Sequence, residues 1–368
     1  MTRCNLCHKE SITTAETIGF CLHCIREHFT QVWPSIQSVH QQVRKRFNLP
    51  PEAPHHPDGI ACHLCLNECE IPEGESGLCG LRYNQNGKLY GGTKEEGNLS
   101  WYYDPLPTNC VANWVCPGGT GAGFPHYAYR QGPEYGYKNL AVFYQACSFN
   151  CLFCQNWHYR ESIHHPTSIP ASQLAAQVDK DTSCICFFGG DPTPQLPHAL
   201  STSQFALERN RRKILRICWE TNASMNPSYL NEMSRLSLQS GGCIKCDLKA
   251  WSKEVHLALC GVNNQRVFDN FQLLSSKIKD RPYPPFLIAS TLLIPGYIDE
   301  GEVAGIARFI NSLNPEIPYS LLAFHPQFLM GDLPTTSKRH ALACKQRAEE
   351  EGLQNVRIGN LHLLGNDY

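Results

Sequence analysis

Short apolar runs closed by turn-forming or charged residues recur along the later part of the chain: "NLAVFY" (139–144), "CICFFGG" (184–190), "ILRICWETN" (214–222), "CIKCDLK" (243–249), "PFLIASTLLIPG" (285–296) and "PYSLLAFHPQ" (318–327). Runs of this length bounded by Gly, Pro, Asn or charge predict strands buried on both faces. Between them, "ASQLAAQVDK" and "EVAGIARFINSL" carry apolar residues at helical spacing. Six strand–helix units imply an α/β fold with a parallel sheet covered by helices, either doubly wound or curled into a barrel.

In both architectures ligands gather beyond the C-terminal ends of the strands. Four polar signals fall there: "CSFNCLFC" after the first run, "GGDPTP" after the second, "ETN" in the third and "DLK" in the fourth. Upstream, "PPEAPHHP" is too rich in proline for regular structure and reads as a linker. The resulting division is a zinc-ribbon-like cysteine module over 1–50, a cysteine-rich extension over 51–136 and a core domain over 137–368. "GGTGAG" (118–123) lacks the Lys-Ser/Thr of a phosphate loop and reads as a flexible loop.

Composition narrows the chemistry. Lys and Arg total 32 against 33 Asp and Glu, a balance that gives no footprint for nucleic acid or an anionic membrane. The opening "MTRCNLCHKESITT" lacks the apolar run of a secretory signal, and no apolar stretch approaches the roughly 20 residues of a membrane span. A cytoplasmic protein is therefore expected. In a reducing compartment its 20 cysteines suit metal better than disulfides.

Cys147, Cys151 and Cys154 form Cys-x3-Cys-x2-Cys on a loop, a spacing that can wrap one face of an iron–sulfur cubane. No fourth cysteine follows until Cys184, at the start of a predicted strand, so one iron would lack a nearby protein ligand. Structural zinc would ask for four ligands, and packing of three thiols on a loop after a strand is a poor alternative.

This motif, with "QNW" (155–157), "GGDPTP", "DLKAWSKEVHLALCGVNN", "LLIPGY" and "VRIGN" in order, resembles radical S-adenosylmethionine (SAM) enzymes. The nearest branch is that of pyruvate formate-lyase-activating enzymes and AmmeMemoRadiSam proteins, and the likeness runs from about 60 to 360. The architecture expected is thus a partial (β/α)6 TIM-like barrel behind a cysteine-rich metal-binding region. The resemblance implies a [4Fe-4S] cluster on the three cysteines whose open iron takes SAM. Reductive cleavage would then release a 5′-deoxyadenosyl radical that abstracts hydrogen from a substrate, with activation of a glycyl-radical enzyme as one role. It also implies a reductant such as flavodoxin or ferredoxin and a substrate that in activases is a protein. By the same likeness Gly189, Gly190 and Asp191 serve SAM, Asp191 standing where Glu is usual, and Asp247 and Lys249 belong to its pocket. Glu220 and Asn222 share an i, i+2 spacing and are candidates for the ribose or methionyl carboxylate. The activase histidine falls on apolar Ile288, for which Ser290 or Thr291 would substitute. His256 matches a family histidine or packs a helix. The rival function is an iron–sulfur electron-transfer or metal-scaffold protein without SAM chemistry.

Further cysteines form two sets. Cys4, Cys7, Cys21 and Cys24 make two Cys-x2-Cys knuckles suited to zinc or iron. Cys62, Cys65, Cys69 and Cys79 suit an auxiliary [4Fe-4S] cluster or zinc. Cys110 and Cys116 either ligate another metal or pack. Cys184, Cys186, Cys218, Cys243, Cys246, Cys260 and Cys344 are expected to be structural, most of them by their placement on strands.

Overall fold

The computed structural model describes residues 1–210 and 213–368. Its main sheet contains β1 (Leu99–Pro105), β2 (Lys138–Tyr144), β3 (Thr182–Gly189), β4 (Arg216–Thr221), β5 (Ile244–Asp247), β6 (Leu287–Leu293), β7 (Tyr319–Ala323) and β8 (Val356–Gly359). They stand side by side in chain order. Strands β2 to β8 are parallel and β1 runs antiparallel to β2. All six expected strands are present, but the parallel set numbers seven. The two additions are the sheet edges, where one side is free and the sequence therefore shows no continuous apolar run. In β1 the aromatics Tyr102 and Tyr103 are exposed, and in β8 Arg357 and Gly359 alternate with Val356 and Ile358.

Alternation sorts the strand residues onto two faces. Leu140, Val142, Ile185, Phe187, Ile217, Trp219 and Ile244 are fully buried. Trp219 stacks on Phe187 at 4.8 Å and its indole N–H donates to Ser237 at 3.0 Å, in the covering layer of helices. That layer comprises α3 (Leu196–Arg209), α4 (Leu230–Ser240), α5 (Lys253–Cys260), α6 (Gln265–Ser275), α7 (Glu300–Leu313) and α8 (Lys338–Glu350), preceded in the chain by α1 (Leu22–Glu27) and α2 (Phe29–Arg46). The opposite sheet face carries Cys186, Cys218, Glu220 and Lys245. Residues at or just after the C-terminal ends of β2 to β7 line one cavity, which requires the sheet to curl as a partial barrel does. Among the described residues β1 and β8 do not pair, so the curl stays open.

The N-terminal helices close one side. Val32, Ile36 and Val43 of α2 join the main apolar core, and α1 and α2 pack on α5. Arg26 of α1 pairs with Asp299 at 2.8 Å and with fully buried Glu302 of α7 at 2.6 Å. The "GGTGAG" stretch is a packed turn instead of an open loop: Pro117–Thr120 is helical, and a Cβ on Gly119 would meet the Asn113 carbonyl at 1.7 Å.

Three buried histidines are held neutral. The His40 ring donates to the Ala258 carbonyl, His198 to that of Ile169 and His256 to that of Val262. Burial pulls each down to about 4. The unfolded chain then binds more protons between about pH 6.5 and 4, so stability falls as pH drops through that window, by about 1.4 kcal/mol per unit for each histidine. Urea denaturation should give a midpoint that declines steadily from pH 6.5 to 5; a flat midpoint would contradict it.

Candidate functional site

Cys147, Cys151 and Cys154 occupy the loop that leaves β2. Its backbone is clamped to the end of α5, with Asn150 N–H donating to the Cys260 carbonyl at 2.9 Å and Leu152 N–H to that of Leu259 at 3.0 Å. All three thiols line one cavity of about 190 Å³. Burial pushes Cys147 and Cys154 above the ordinary thiol range. Cys151 is raised first by a hydrogen bond to Cys260 and then by burial. Cys260 is not among the residues that line the cavity. The trio thus presents three sulfur ligands on one wall, with polar groups from the strand ends around the rest.

The rim residues divide into those that face the cavity freely and those already committed. Gly189 has φ 118°, and a Cβ there would lie 2.5 Å from the Tyr144 nitrogen; on Gly190 it would lie 2.3 Å from the Ala146 carbonyl oxygen. These glycines let the loops after β2 and β3 touch, which shapes the cavity wall. Asp191 is buried and raised by that burial, and it accepts from Thr193 N–H at 2.8 Å, Asn222 N–H at 2.6 Å and the Thr221 hydroxyl at 3.1 Å. It ties the end of β3 to the end of β4. Asn222 in turn donates its amide to the Ser148 hydroxyl at 2.9 Å, within 3.8 Å of Cys147 Sγ.

Glu220, Asp247, Lys249 and Ser290 also line the cavity. Lys249 pairs with Asp247 at 2.9 Å, and Asp247 accepts from the Ser290 hydroxyl at 2.7 Å. Thr291 instead donates to the Leu248 carbonyl, and Ile288 is buried. His256 stacks edge-on against Phe149 at 5.3 Å and packs behind the loop.

Arg160 was not singled out in the sequence, although it stands six residues after Cys154. It is fully buried and lines the cavity. Its Nη2 donates to Asn150 at 3.3 Å, whereas Nε and Nη1 have no hydrogen-bond partner. Its guanidinium lies over the rings of Tyr159 and Phe328 at 4.7 and 4.8 Å. A buried cation with two unpartnered donors beside three thiols fits an anionic thiolate-ligated cluster.

Two other cysteine sets lie outside this cavity. Cys4 and Cys24 sulfurs lie 3.7 Å apart, as do those of Cys7 and Cys21, and all four fall within 4.8 Å of one another. Tetrahedral zinc with bonds of about 2.3 Å has sulfur–sulfur edges of about 3.8 Å. The loop carrying Cys62, Cys65, Cys69 and Cys79 abuts the trio's loop: Asn67 donates to the Ser148 carbonyl at 2.8 Å and lies 3.5 Å from Cys65 Sγ.

Of the seven cysteines expected to be structural, Cys246, Cys260 and Cys344 are buried in the core. Cys184, Cys186 and Cys243 are also buried, and Cys243 packs with Ala112, Ile288 and Cys218; what the strand spacing did not show is that these four share a cavity. Together with Cys110 and Cys116 they line a second cavity, because their strand positions all face the concave side.

The sequence profile of the radical SAM superfamily matches residues 141–310. An uncharacterized protein of Methanocaldococcus jannaschii is 25% identical over 82% of this chain and 81% of its own length. An isethionate sulfite-lyase activating enzyme of Desulfovibrio desulfuricans is 30% identical over 37% of this chain and 40% of its own length. A solved domain of a pyruvate-formate lyase-activating enzyme from Bacteroides vulgatus covers 48% of this chain and 98% of that one, at 24% identity and a TM-score of 0.38. No described helix is long and apolar enough to cross a membrane. Residues 141–310 thus match the radical SAM superfamily, and the chain has homologues among the activating enzymes.

Proposed function

We propose that the chain cleaves SAM reductively at a [4Fe-4S] cluster held by Cys147, Cys151 and Cys154 and abstracts hydrogen from a substrate, in the manner of an activating enzyme working on a partner protein. The observation that carries this reading is the trio itself: three thiols, not four, on one wall of a cavity whose other walls come from consecutive strand ends. When bound, cluster and SAM supply the electron and the 5′-deoxyadenosyl radical. The protein supplies the enclosure: Arg160 would balance the charge of a thiolate-bound cluster, Lys249 and Asp247 line the ligand space with opposite charges, and the clamped loop holds the three thiols that would ligate the cluster. Gly189, Gly190, Asp191 and Asn222 act mainly by holding the walls together, so their contact with SAM is by backbone and shape.

The other cysteines extend the cofactor set. Zinc suits Cys4, Cys7, Cys21 and Cys24, whose sulfurs already stand at tetrahedral spacing. An auxiliary cluster on Cys62, Cys65, Cys69 and Cys79 would lie against the trio's loop through Asn67, on a route for electrons from a flavodoxin or ferredoxin. A pure electron-transfer role leaves the strand-end lining without purpose. The test is anaerobic reconstitution with iron and sulfide followed by dithionite and SAM. Formation of 5′-deoxyadenosine supports the assignment; an intact cluster that yields none overturns it.

A further inference from the structure

The second cavity, of about 470 Å³, lies on the concave side of the sheet and shares Asn156, Phe188 and Glu220 with the cavity of the trio. Register explains its lining. Cys186 of β3 pairs with Cys218 of β4, and Trp219 pairs with Ile244, which puts Cys243 beside Cys218. Three thiols therefore stand at one level on three adjacent strands, about 4.8 Å from strand to strand. Cys184 lies one layer below, next to Arg216, and the segment 108–117 brings Cys110 and Cys116 to the same space. That segment is pinned across the sheet: Trp114 donates to Ser320 of β7 at 3.1 Å and Arg357 of β8 to Asn113 at 2.9 Å.

Barrel interiors are ordinarily filled by layers of branched apolar side chains. Here the layer is sulfur and charge around open space. The buried Lys245 ammonium lies 3.0 Å from Cys110 Sγ, 3.1 Å from Cys186 Sγ and 3.3 Å from Glu220, and the Arg216 guanidinium lies 3.1 Å from Cys184 Sγ. Burial pushes Cys110, Cys184 and Cys186 up, and the neighbouring Lys245 and Arg216 oppose that rise. Among the described residues only Cys4, Cys7, Cys21 and Cys24 converge closely enough for one ion. Cys110, Cys116, Cys218 and Cys243 gather in one small cluster with Ala112 and Ile288, so these four thiols share one side of the chamber.

We propose that this chamber binds a further iron–sulfur cluster, ligated by Cys110 and Cys116 from the covering segment and by Cys218 and Cys243 from the strands. The assignment rests on the chamber alone, so it is tested without SAM and stands or falls separately from radical chemistry. The experiment reconstitutes the full chain anaerobically and measures iron, acid-labile sulfide and zinc per chain for wild type, a Cys110→Ser/Cys116→Ser variant, a Cys218→Ser/Cys243→Ser variant and their combination. Each pair is expected to lose the same complement, about two to four irons with matching sulfide, and the combination no more than either pair. Iron and sulfide equal to wild type, or loss of zinc in place of iron, would overturn the proposal. Should the variants fold poorly, alkylation of wild type decides: Cys110 and Cys116 are expected to be protected when loaded and modified after iron is chelated, and equal modification in both states refutes the cluster.

Discussion

Replacing Cys151 with alanine is expected to lower 5′-deoxyadenosine formation more than about 100-fold, since even changes around metal ligands cost about 10–100-fold. Cys151 is the middle ligand of a loop whose backbone is already fixed by α5, so no neighbouring thiol can swing in without breaking the bonds of Asn150 and Leu152 to Cys260 and Leu259. Cys260 contacts Cys151 and does not line the cavity. Cys260→Ala should therefore keep the cluster and most of the activity. The pair of variants separates ligation from packing. Iron content and product are measured together; activity surviving in Cys151→Ala, or an equal collapse in Cys260→Ala, would remove the loop geometry from the mechanism.

The alternation of strand and helix, the cysteine trio and its strand-end companions were legible because each leaves a local trace: an apolar run, a spacing, a Gly-Gly-acid turn. What escaped the sequence depends on register. Cys186, Cys218 and Cys243 are 32 and 25 residues apart in the chain and become neighbours only when β3, β4 and β5 align. Read singly, each is a small apolar residue on a buried strand. Arg160 escaped for the opposite reason, since a lone arginine after a motif is ordinary until burial leaves two of its donors unpartnered. The place of Asp191 at the end of β3 was legible, but its saturation by Thr193, Thr221 and Asn222 was not. The edge strands lacked a signal because half-exposed strands need no continuous apolar sequence.

The largest loss of stability from a single charge is expected at Glu134→Ala. Glu134 is fully buried and accepts from both Arg216 terminal nitrogens, at 2.9 and 2.5 Å, from the Ser183 hydroxyl at 2.8 Å and from Tyr129 N–H at 2.8 Å. Arg216 is itself buried, on β4, and lines the thiol-rich chamber. Deleting the carboxylate leaves that guanidinium with only the Tyr127 carbonyl and neutral or sulfur partners, a cost of about 3–5 kcal/mol. Removing both charges in Glu134→Gln/Arg216→Met should cost less than Glu134→Ala alone, because no uncompensated charge remains. An exposed pair such as Lys345–Glu349 provides the contrast, with Lys345→Ala changing stability by about 0.5 kcal/mol or less. Urea denaturation of the three variants measures the order. If Glu134→Ala shifts the free energy by less than about 1 kcal/mol, water reaches Arg216 and the floor of the chamber is open. If the double variant is the worse of the two, the ion pair is itself a net stabiliser of the strand that carries Cys218 and Glu220.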